Sequence, residues 1–389
     1  GVSAKFFIVL GFCGFAASAL AQGAVGRPPQ AAPFDAFAPR VKLRWDDRFL
    51  YVENNGLPAH GMMVGITAWQ QQVPLPQPYF GGNAWQIPLA PVPAKVPQSI
   101  KGHFLRGAIA IAANGIPIFN PQNNRGEISQ EIGELDQWGG HCGRADDYHY
   151  HAAPLHLQST VGKAKPIAYS LDGYAIYGLN EPDGSAPGKL DDCCGHTTAA
   201  LGYHYHSSTK YPYVNGGFHG QVVERDGQID PQPRAQPIRP ALPPLRGAKI
   251  TDFKAAADEK SFRLQYSVNG KPGAVNYAAT SDGAWKFQFA NADGTQSEET
   301  YRAGARKGGP VVRGDQAPQP ASPKKSGSFV LRSPVVADGG VLPVEFTGDG
   351  SSATLPLEWS GAPVGTQSYA LIMHHLDPEG KTKVYWTLY

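Results

Sequence analysis

Short apolar runs separated by turn-forming dipeptides dominate the chain between about residues 41 and 223. Runs such as 49–52 and 107–111 are shorter than a helix that buries one face, and they have the length of β-strands. Asn-Gly or Asp-Gly pairs begin at Asn55, Asn114, Asp172 and Asn215. Such pairs are typical of tight hairpin turns, so the pattern predicts a mainly β fold.

Changes in composition divide the chain into segments. Residues 261–268 alternate polar and apolar positions, which predicts strands of a second, smaller β module. Proline-rich stretches on either side of that module predict extended linkers. The expected segments are a signal peptide (1–21), a flexible leader (22–40), a first β domain (41–225), a Pro-rich linker (226–246), a small β module (247–302), a second linker (303–326) and a last, truncated β domain (327–389).

The N-terminal segment has the pattern of a signal peptide. Lys5 precedes an apolar run, 6–17, and the small-residue site Ala19-Leu20-Ala21 follows it. We therefore expect a periplasmic or secreted protein whose mature chain starts at Gln22. The run is too short to span a bilayer and no later stretch reaches about 18 apolar residues, so no membrane span is expected.

The balance of charges argues against a nucleic-acid partner. The 389 residues include 34 Lys and Arg against 32 Asp and Glu, which gives a formal net charge of +2. The chain has no basic block that would neutralise a run of phosphates. We therefore expect no nucleic-acid partner.

An internal repeat at an offset of 55 residues is the most informative feature. Residues 135–151 (LDQWGGHCGRADDYHYH) align without a gap with residues 190–206 (LDDCCGHTTAALGYHYH), and nine of the 17 positions are identical. Each copy has a Gly-His pair followed by Tyr-His-Tyr-His. Because side chains alternate between the faces of a strand, the two His of each tetrapeptide share one face and the two Tyr share the other.

Histidines in this pattern favour a transition metal. Imidazole is the commonest neutral nitrogen ligand, and three or more converging imidazoles suit zinc, copper or iron. We predict copper or zinc, held in one shared site or in two adjacent sites. The predicted ligands are His141, His149, His151, His196, His204 and His206.

Carboxylates near the repeat could accept the second ring N–H of these histidines or join the ligands. The candidates are Asp136, Asp191, Asp146 and Asp147. Tyr148 and Tyr203 are expected to face away from the metal and to serve mainly as packing. A β core in which His and Tyr only hydrogen-bond to each other remains the alternative.

Three cysteines follow the signal peptide, an odd number for an oxidising compartment. We expect one disulfide that joins Cys142 to Cys193 or Cys194, because the repeat would place them near the same pair of strands. Thiolate ligation of a metal is a weaker alternative. A bridge between the adjacent Cys193 and Cys194 would be strained.

The paired tetrapeptides resemble the YHYH domain family. The resemblance covers about residues 41–223 and includes the runs at 55–60 (NGLPAH), 113–118 (ANGIPI), 171–178 (LDGYAIYG) and 211–213 (YPY). It adds His60 as a possible seventh metal ligand. The family implies a secreted protein and defines no reaction.

The last segment resembles a second family, the phosphatidylethanolamine-binding proteins, in their bacterial Raf-kinase-inhibitor-like branch. The matching runs include 346–350 (FTGDG), 355–363 (LPLEWSGAP) and 368–373 (SYALIM). The family implies a small anion pocket lined by an Asp-Pro and a His-Trp. Here Asp377 supplies the first, whereas Tyr385 stands where the histidine is expected, and His374 and His375 are nearby.

These features leave three functional hypotheses. The first is an exported metal-binding module, the second a metal-dependent oxidase or hydrolase, and the third a metal-free surface binding module. The chain has no nucleophile elbow and no phosphate-binding loop, so no catalytic residue is predicted. A small anionic ligand is the only partner expected, at a complete C-terminal domain.

Overall fold

The computed structural model describes residues 26–302 and, beyond them, residues 330–336, 343, 356–360, 371–376 and 382–388. The sequence-predicted signal peptide, 1–21, lies outside the described residues. The chain divides into two compact units, Gly1–Val312 and Arg313–Tyr389. Strands dominate the described residues, so the prediction of a mainly β fold is confirmed.

In the described part of the first unit, the first element is a nine-residue 3-10 helix, Pro29–Phe37. Two 3-10 turns, Gly81–Asn83 and Leu155–Leu157, and a single helical turn, Gln158–Val161, follow later. None of the helices in the described ranges has the length and apolar content that crossing a bilayer requires. The strands of the larger part of this unit are β1 (Lys42–Trp45), β2 (Phe49–Glu53), β3 (Trp85–Pro88), β4 (Pro93–Ser99), β5 (Ala108–Ala112), β6 (Pro117–Phe119), β7 (Gly140–Cys142), β8 (Tyr148–Tyr150), β9 (Ala168–Ser170), β10 (Ala175–Tyr177), β11 (Gly195–Thr198), β12 (Gly202–His206), β13 (Gly217–Gly220), β14 (Glu224–Arg225) and β15 (Gln228–Ile229).

An eight-stranded sheet forms the centre of this unit, in the order β11-β12-β10-β9-β5-β6-β8-β7. Its middle strand β5 (AIAIA) is buried at every position, which explains why its sequence does not alternate with polar residues. β1, β2 and β3 form a separate antiparallel sheet, β13 pairs with β4, and β14 pairs with β15.

The sheet repeats itself about its centre. β5, β6, β7 and β8 correspond to β9, β10, β11 and β12, so the strand order reads the same from either end. β6 pairs with β8 in parallel, and β10 pairs with β12 in parallel. The two halves meet where β5 pairs with β9 in antiparallel fashion, with Ile111 opposite Tyr169. The sequence repeat of residues 135–151 and 190–206 is therefore part of a larger structural duplication.

Two glycines of the repeat are explained by close packing. Gly140 and Gly195 lie beside the phenol groups of Tyr148 and Tyr203, and a Cβ on either glycine would overlap the phenol. Each glycine precedes the first histidine of its copy. The Gly-His pair is therefore fixed on the glycine side by the tyrosine of the same copy.

The expected flexible leader is ordered over the residues that the structure describes. Ala31 and Phe34 of the 3-10 helix are buried, and the Phe34 ring stacks on Tyr169 of β9 with centroids 6.2 Å apart. The expectation of an unstructured leader is therefore wrong for 26–40. Its few apolar residues pack singly against the sheet, so they leave no periodic pattern in the sequence.

The Pro-rich segment 226–246 lies against the first domain instead of spanning open solvent. Arg239 from this segment forms a buried ion pair with Asp146, at 2.7 Å, and its guanidinium lies over the ring of Phe287. Gln232 accepts a hydrogen bond from the backbone N–H of Ala108. The segment therefore packs against both the first domain and the small β module.

The small β module is an antiparallel five-stranded meander in chain order, as its alternating pattern predicts. It also packs against the first domain, because the hydroxyl of Tyr277 donates to the carbonyl of Pro74 and the Tyr266 ring contacts Trp69. Its strands are β16 (Ala248–Ala255), β17 (Ser261–Val268), β18 (Lys271–Ala279), β19 (Ala284–Ala290) and β20 (Gln296–Arg302).

Two antiparallel strand pairs are described in the second unit. β21 (Val330–Arg332) pairs with β22 (Glu358–Ser360), and β23 (Leu371–Leu376) pairs with β24 (Thr382–Leu388). His374 and His375 lie on β23 and Tyr385 lies on β24. Asp377, the predicted pocket residue, lies outside the described residues.

Candidate metal centres

The first histidine cluster lies where β7 pairs with β8. The antiparallel register places His141 directly opposite His149, and His151 follows β8 on the same face. The Nε2 atoms of His141 and His149 lie 3.0 and 3.1 Å from Nε2 of His151. Phe119 stacks on the His149 ring with centroids 3.9 Å apart. The first predicted trio therefore converges on one point.

The second cluster has the same construction where β11 pairs with β12. His196 lies opposite His204, and their Nε2 atoms are 3.1 Å apart. Glu181 joins them, with one carboxylate oxygen 2.8 Å from His196 Nε2 and 3.3 Å from His206 Nε2, and the other 3.3 Å from His204 Nε2. This cluster therefore has three nitrogens and one carboxylate as donors.

Backbone carbonyls fix the tautomer of the tetrapeptide histidines. Nδ1 of His149 lies 2.9 Å from the carbonyl oxygen of Asp147, and Nδ1 of His204 lies 3.0 Å from that of Gly202. Nδ1 of His151 and of His206 face the carbonyls of Asn120 and Gly178. A carbonyl only accepts, so each Nδ1 carries the proton and each Nε2 presents a lone pair.

The Nε2 contacts are therefore unfavourable without a cation. The Nε2 atoms of His149 and His151 lie 3.1 Å apart. Both are acceptors, so they cannot form a hydrogen bond with each other and their lone pairs repel. In the second cluster, Nε2 of His206 is buried and has no hydrogen-bond partner. Nitrogens bound tetrahedrally to zinc at 2.0–2.1 Å lie about 3.3 Å apart, close to the spacing in both clusters.

Burial favours the neutral form of three of the imidazoles, those of His141, His151 and His206. Desolvation, together with the nearby His149, lowers the pKa of His151 to about 3. Desolvation also lowers the pKa of His141 well below its ordinary value and lowers that of His206. Neutral imidazoles are the form that coordinates a metal, so burial prepares these rings as ligands near neutral pH.

The sequence interpretation did not include Glu181. It lies in the turn segment after β10, outside the repeated stretch 190–206, and no alternation or spacing connects it with the histidines. Its position is set by chain topology, since β10 pairs directly with β12. In the sequence, the only indication of its role is that Glu181 is an acidic residue in the loop after the hairpin of Asp172 and Gly173.

The two predicted supporting aspartates do not contact the rings. Asp136 accepts hydrogen bonds from the backbone N–H groups of Trp138 and Gly140, and from the hydroxyl of Tyr148 at 2.8 Å. Asp191 does the same in the second copy for Cys193, Gly195 and Tyr203. These carboxylates hold the turn before each Gly-His and belong to neither cluster.

The other two aspartates differ from each other. Asp146 is paired with Arg239 and accepts from the backbone N–H of Val73. Asp147 is the nearer to the first cluster, since its carbonyl faces Nδ1 of His149 and its carboxylate lies 3.4 Å from the same atom. None of the four carboxylates accepts a hydrogen bond from the ring N–H as expected, and Asp147 comes nearest, through its backbone carbonyl.

His60 lies away from both clusters. Its Nε2 is 2.6 Å from the hydroxyl of Tyr150, and its ring contacts those of Trp138 and His156. The tyrosines of the tetrapeptide face the opposite side of the strand from its histidines, so His60 packs on the tyrosine face. The structure therefore does not bring this candidate to a metal cluster.

The predicted disulfide is wrong. Cys142, Cys193 and Cys194 are all free thiols. Cys142 lies on β7 and the other two immediately precede β11, and these strands are at opposite ends of the sheet order. The prediction assumed that the two copies share a pair of strands, whereas the duplication places them in different halves.

The same topology overturns the expectation of a shared site. The tetrapeptide strands β8 and β12 are separated by β6, β5, β9 and β10. The possible ligand atoms form two separate groups. One consists of His141, His149 and His151, and the other of Glu181, His196, His204 and His206. The duplicated sequence builds two separate clusters.

Comparison with known families agrees with the motifs. Residues 84–189 match the family model described as YHYH protein, and residues 332–389 match that of phosphatidylethanolamine-binding protein. Both resemblances are confirmed. The YHYH match includes the first tetrapeptide and ends before the second, which starts at Tyr203. No curated protein and no solved structure matches the chain.

Proposed function

We propose that this protein binds two transition-metal ions, zinc or copper, one at each histidine cluster. The observation that carries the proposal is the placement of Nε2 lone pairs that Nδ1 contacts to backbone carbonyls fix. Those of His149 and His151 face each other, and those of His204 and His206 face the carboxylate of Glu181. A bound cation would turn these repulsive contacts into bonds. Three imidazoles with an optional carboxylate are ligands that zinc commonly takes, and copper also accepts imidazole.

The donor sets favour different roles for the two ions. Four protein ligands at the second cluster make a closed centre of the structural kind, whereas three at the first cluster leave a position for another ligand. We therefore propose that the second ion stabilises the fold. The first ion has an open position at which a small molecule can bind.

Metal analysis of protein purified without an affinity tag tests the proposal. The expected result is two ions per chain in the parent, and one in each of the double variants His149→Ala, His151→Ala and His204→Ala, His206→Ala. Circular dichroism serves as the control for folding. A parent without metal after native purification, and after dialysis against zinc or copper, would overturn the proposal.

A metal-dependent enzyme of hydrolase or oxidase type is the second candidate, favoured by one observation. The first cluster lines a cavity of about 470 Å³, within the size range of small-molecule sites. X-ray absorption of zinc in the His204→Ala, His206→Ala variant would test it. Three imidazoles and one solvent oxygen would support an open centre, and a coordination shell saturated by protein would contradict it.

We further propose that the protein acts outside the cytoplasm, on the evidence of the N-terminal pattern of Lys5, the apolar run and Ala19-Leu20-Ala21. The expected mature N-terminus is at or near Gln22. Sequencing of the N-terminus of protein recovered from its native source decides this. Retention of residues 6–17 would contradict it.

A further inference from the structure

The cavity beside the first histidine cluster has an uneven charge. His141, His149 and His151 form one wall, and three arginines, Arg106, Arg125 and Arg144, also line it. Among the described residues, Glu134 is the only carboxylate that lines the cavity. That carboxylate is already compensated, because it pairs with Arg125 at 2.8 Å and accepts from the hydroxyl of Ser129 at 2.9 Å.

Two of the arginines have no carboxylate of their own. Within the described residues, the guanidinium groups of Arg106 and Arg144 have neither a hydrogen-bond acceptor nor an ionic partner, and both side chains are exposed. Arg125 differs, since Glu127 and Glu134 occupy two of its nitrogens. The cavity therefore has an excess of positive charge before any metal binds, and a metal would add to it.

Part of the remaining lining is apolar, and part consists of the amide side chains of Gln70, Gln72, Asn123 and Asn124. Ile66 and Trp69 are buried, and Leu105 is half-buried at the same cavity. A ligand that fits has an acidic group to meet the guanidinium groups and the metal, and an apolar body to cover these side chains. Arginine binds a carboxylate with two parallel hydrogen bonds, which adds geometric selection to the charge.

The second cluster lacks this arrangement. Its carboxylate, Glu181, contacts the histidines themselves, so an incoming anion would meet a negative ligand at that centre. The aromatic cavity that reaches His204 is lined by Lys165 as its only cation. The two halves of the duplicated sheet therefore present sites of opposite electrostatic character.

We propose that the first cluster binds a small organic carboxylate, whose acid group occupies the position that the three histidines leave open and is drawn there by Arg106 and Arg144. This inference rests on the proposed metal at that cluster. It assigns the ligand-taking role to the first half of the duplicated sheet. The second half keeps only the structural role.

Cobalt(II) and benzoate provide the test. In the His204→Ala, His206→Ala background, cobalt reports on the first cluster alone, and its visible absorption changes when a ligand joins the metal. We expect benzoate to change the spectrum in a saturable way and the neutral benzamide to have no effect. Arg106→Gln with Arg144→Gln should raise the apparent Kd for benzoate by about tenfold or more, with the cobalt content unchanged.

The matched control removes the same charge elsewhere. Arg48→Gln with Arg263→Gln replaces two exposed arginines that do not line the cavity, and it should leave the benzoate Kd unchanged. If the background variant does not fold, the same titration is made in the parent protein, where the difference spectrum isolates the responding ion.

The outcomes separate the two proposals. A protein that binds no cobalt overturns the metal proposal and this inference with it. A protein that binds cobalt but gives no spectral change with benzoate, the same change with benzamide, or an unchanged Kd in the cavity variant overturns this inference alone.

Discussion

Tyr148 donates its phenol proton to the buried carboxylate of Asp136 across 2.8 Å. The second copy repeats this bond between Tyr203 and Asp191, also at 2.8 Å, but Asp191 there is exposed to solvent. The expectation that these tyrosines serve mainly as packing is therefore incomplete. Each one also satisfies the carboxylate that holds the turn before the Gly-His pair.

This pair of matched bonds predicts unequal costs for the same substitution. Tyr148→Phe leaves a buried carboxylate short of a donor and should lower the free energy of unfolding by about 1–3 kcal/mol. Tyr203→Phe should cost less than about 1 kcal/mol, because water replaces the lost donor. Urea denaturation of both variants measures the difference, and equal costs would contradict the assigned burial.

Acidification should destabilise the metal-depleted protein. His151 is neutral in the folded state because burial lowers its pKa to about 3, whereas the unfolded chain takes up a proton near its ordinary pKa of about 6.5. The unfolded state then binds more protons, so stability is present above pH 6.5 and is lost as the pH falls towards 3. The expected slope is up to about 1.4 kcal/mol per pH unit from this group.

Thermal unfolding between about pH 7 and pH 5 checks this, since most carboxylates stay ionised there. His156, whose pKa is lowered to about 4 by burial and by His60, adds to the slope, and His156→Asn should make it shallower. A midpoint temperature that does not change across this range would contradict the neutral state assigned to the buried rings.

Removal of the Arg239 charge should strongly destabilise the first unit. Asp146 is buried and forms two hydrogen bonds of 2.7 Å with this guanidinium, so Arg239→Gln leaves a buried carboxylate without a counter-charge. The expected loss is about 3–5 kcal/mol. The exposed Arg263→Gln serves as the control and should change stability by less than about 0.5 kcal/mol. Similar denaturation midpoints for the two variants would argue against the buried pair.

Glu181→Gln should separate the two metal centres. It removes the carboxylate ligand of the second cluster, so the affinity of that centre should fall by about tenfold or more while the first centre keeps its affinity. Zinc titration with a competing chelator resolves the two sites. His141→Ala is the reciprocal control, which should weaken the first centre only. A single affinity change shared by both sites would contradict their separation.

The two histidine clusters could be predicted from local pattern, because strand alternation and the repeat are properties of a few consecutive residues. His149 and His151 share a face for that reason, and pairing with the Gly-His strand brings His141 opposite them. Glu181 could not be predicted, since its contact with His204 depends on which strands become neighbours. The disulfide prediction was wrong for the same reason, as Cys142 and Cys193 are close in repeat register and far apart in strand order.

Single tertiary contacts also escape pattern analysis. Phe34 and Arg239 each anchor a segment that has no hydrophobic period, so composition predicted a flexible leader and an extended linker. The fold class was predictable because hairpin turns and short apolar runs recur along the whole chain. The tertiary contacts of single residues such as Phe34 and Arg239 were not predictable, because no periodic pattern marks them.

The antiparallel junction of β5 and β9 bears on the ancestry of the sheet. A chain that had only the four strands β5 to β8 would present the β5 edge to a second copy and form the same eight strands as a twofold dimer, with one histidine trio in each subunit. Tandem fusion of such a gene would free the two trios from identical sequence. One copy could then acquire Glu181 and the other a rim of arginines, which a symmetric dimer cannot do.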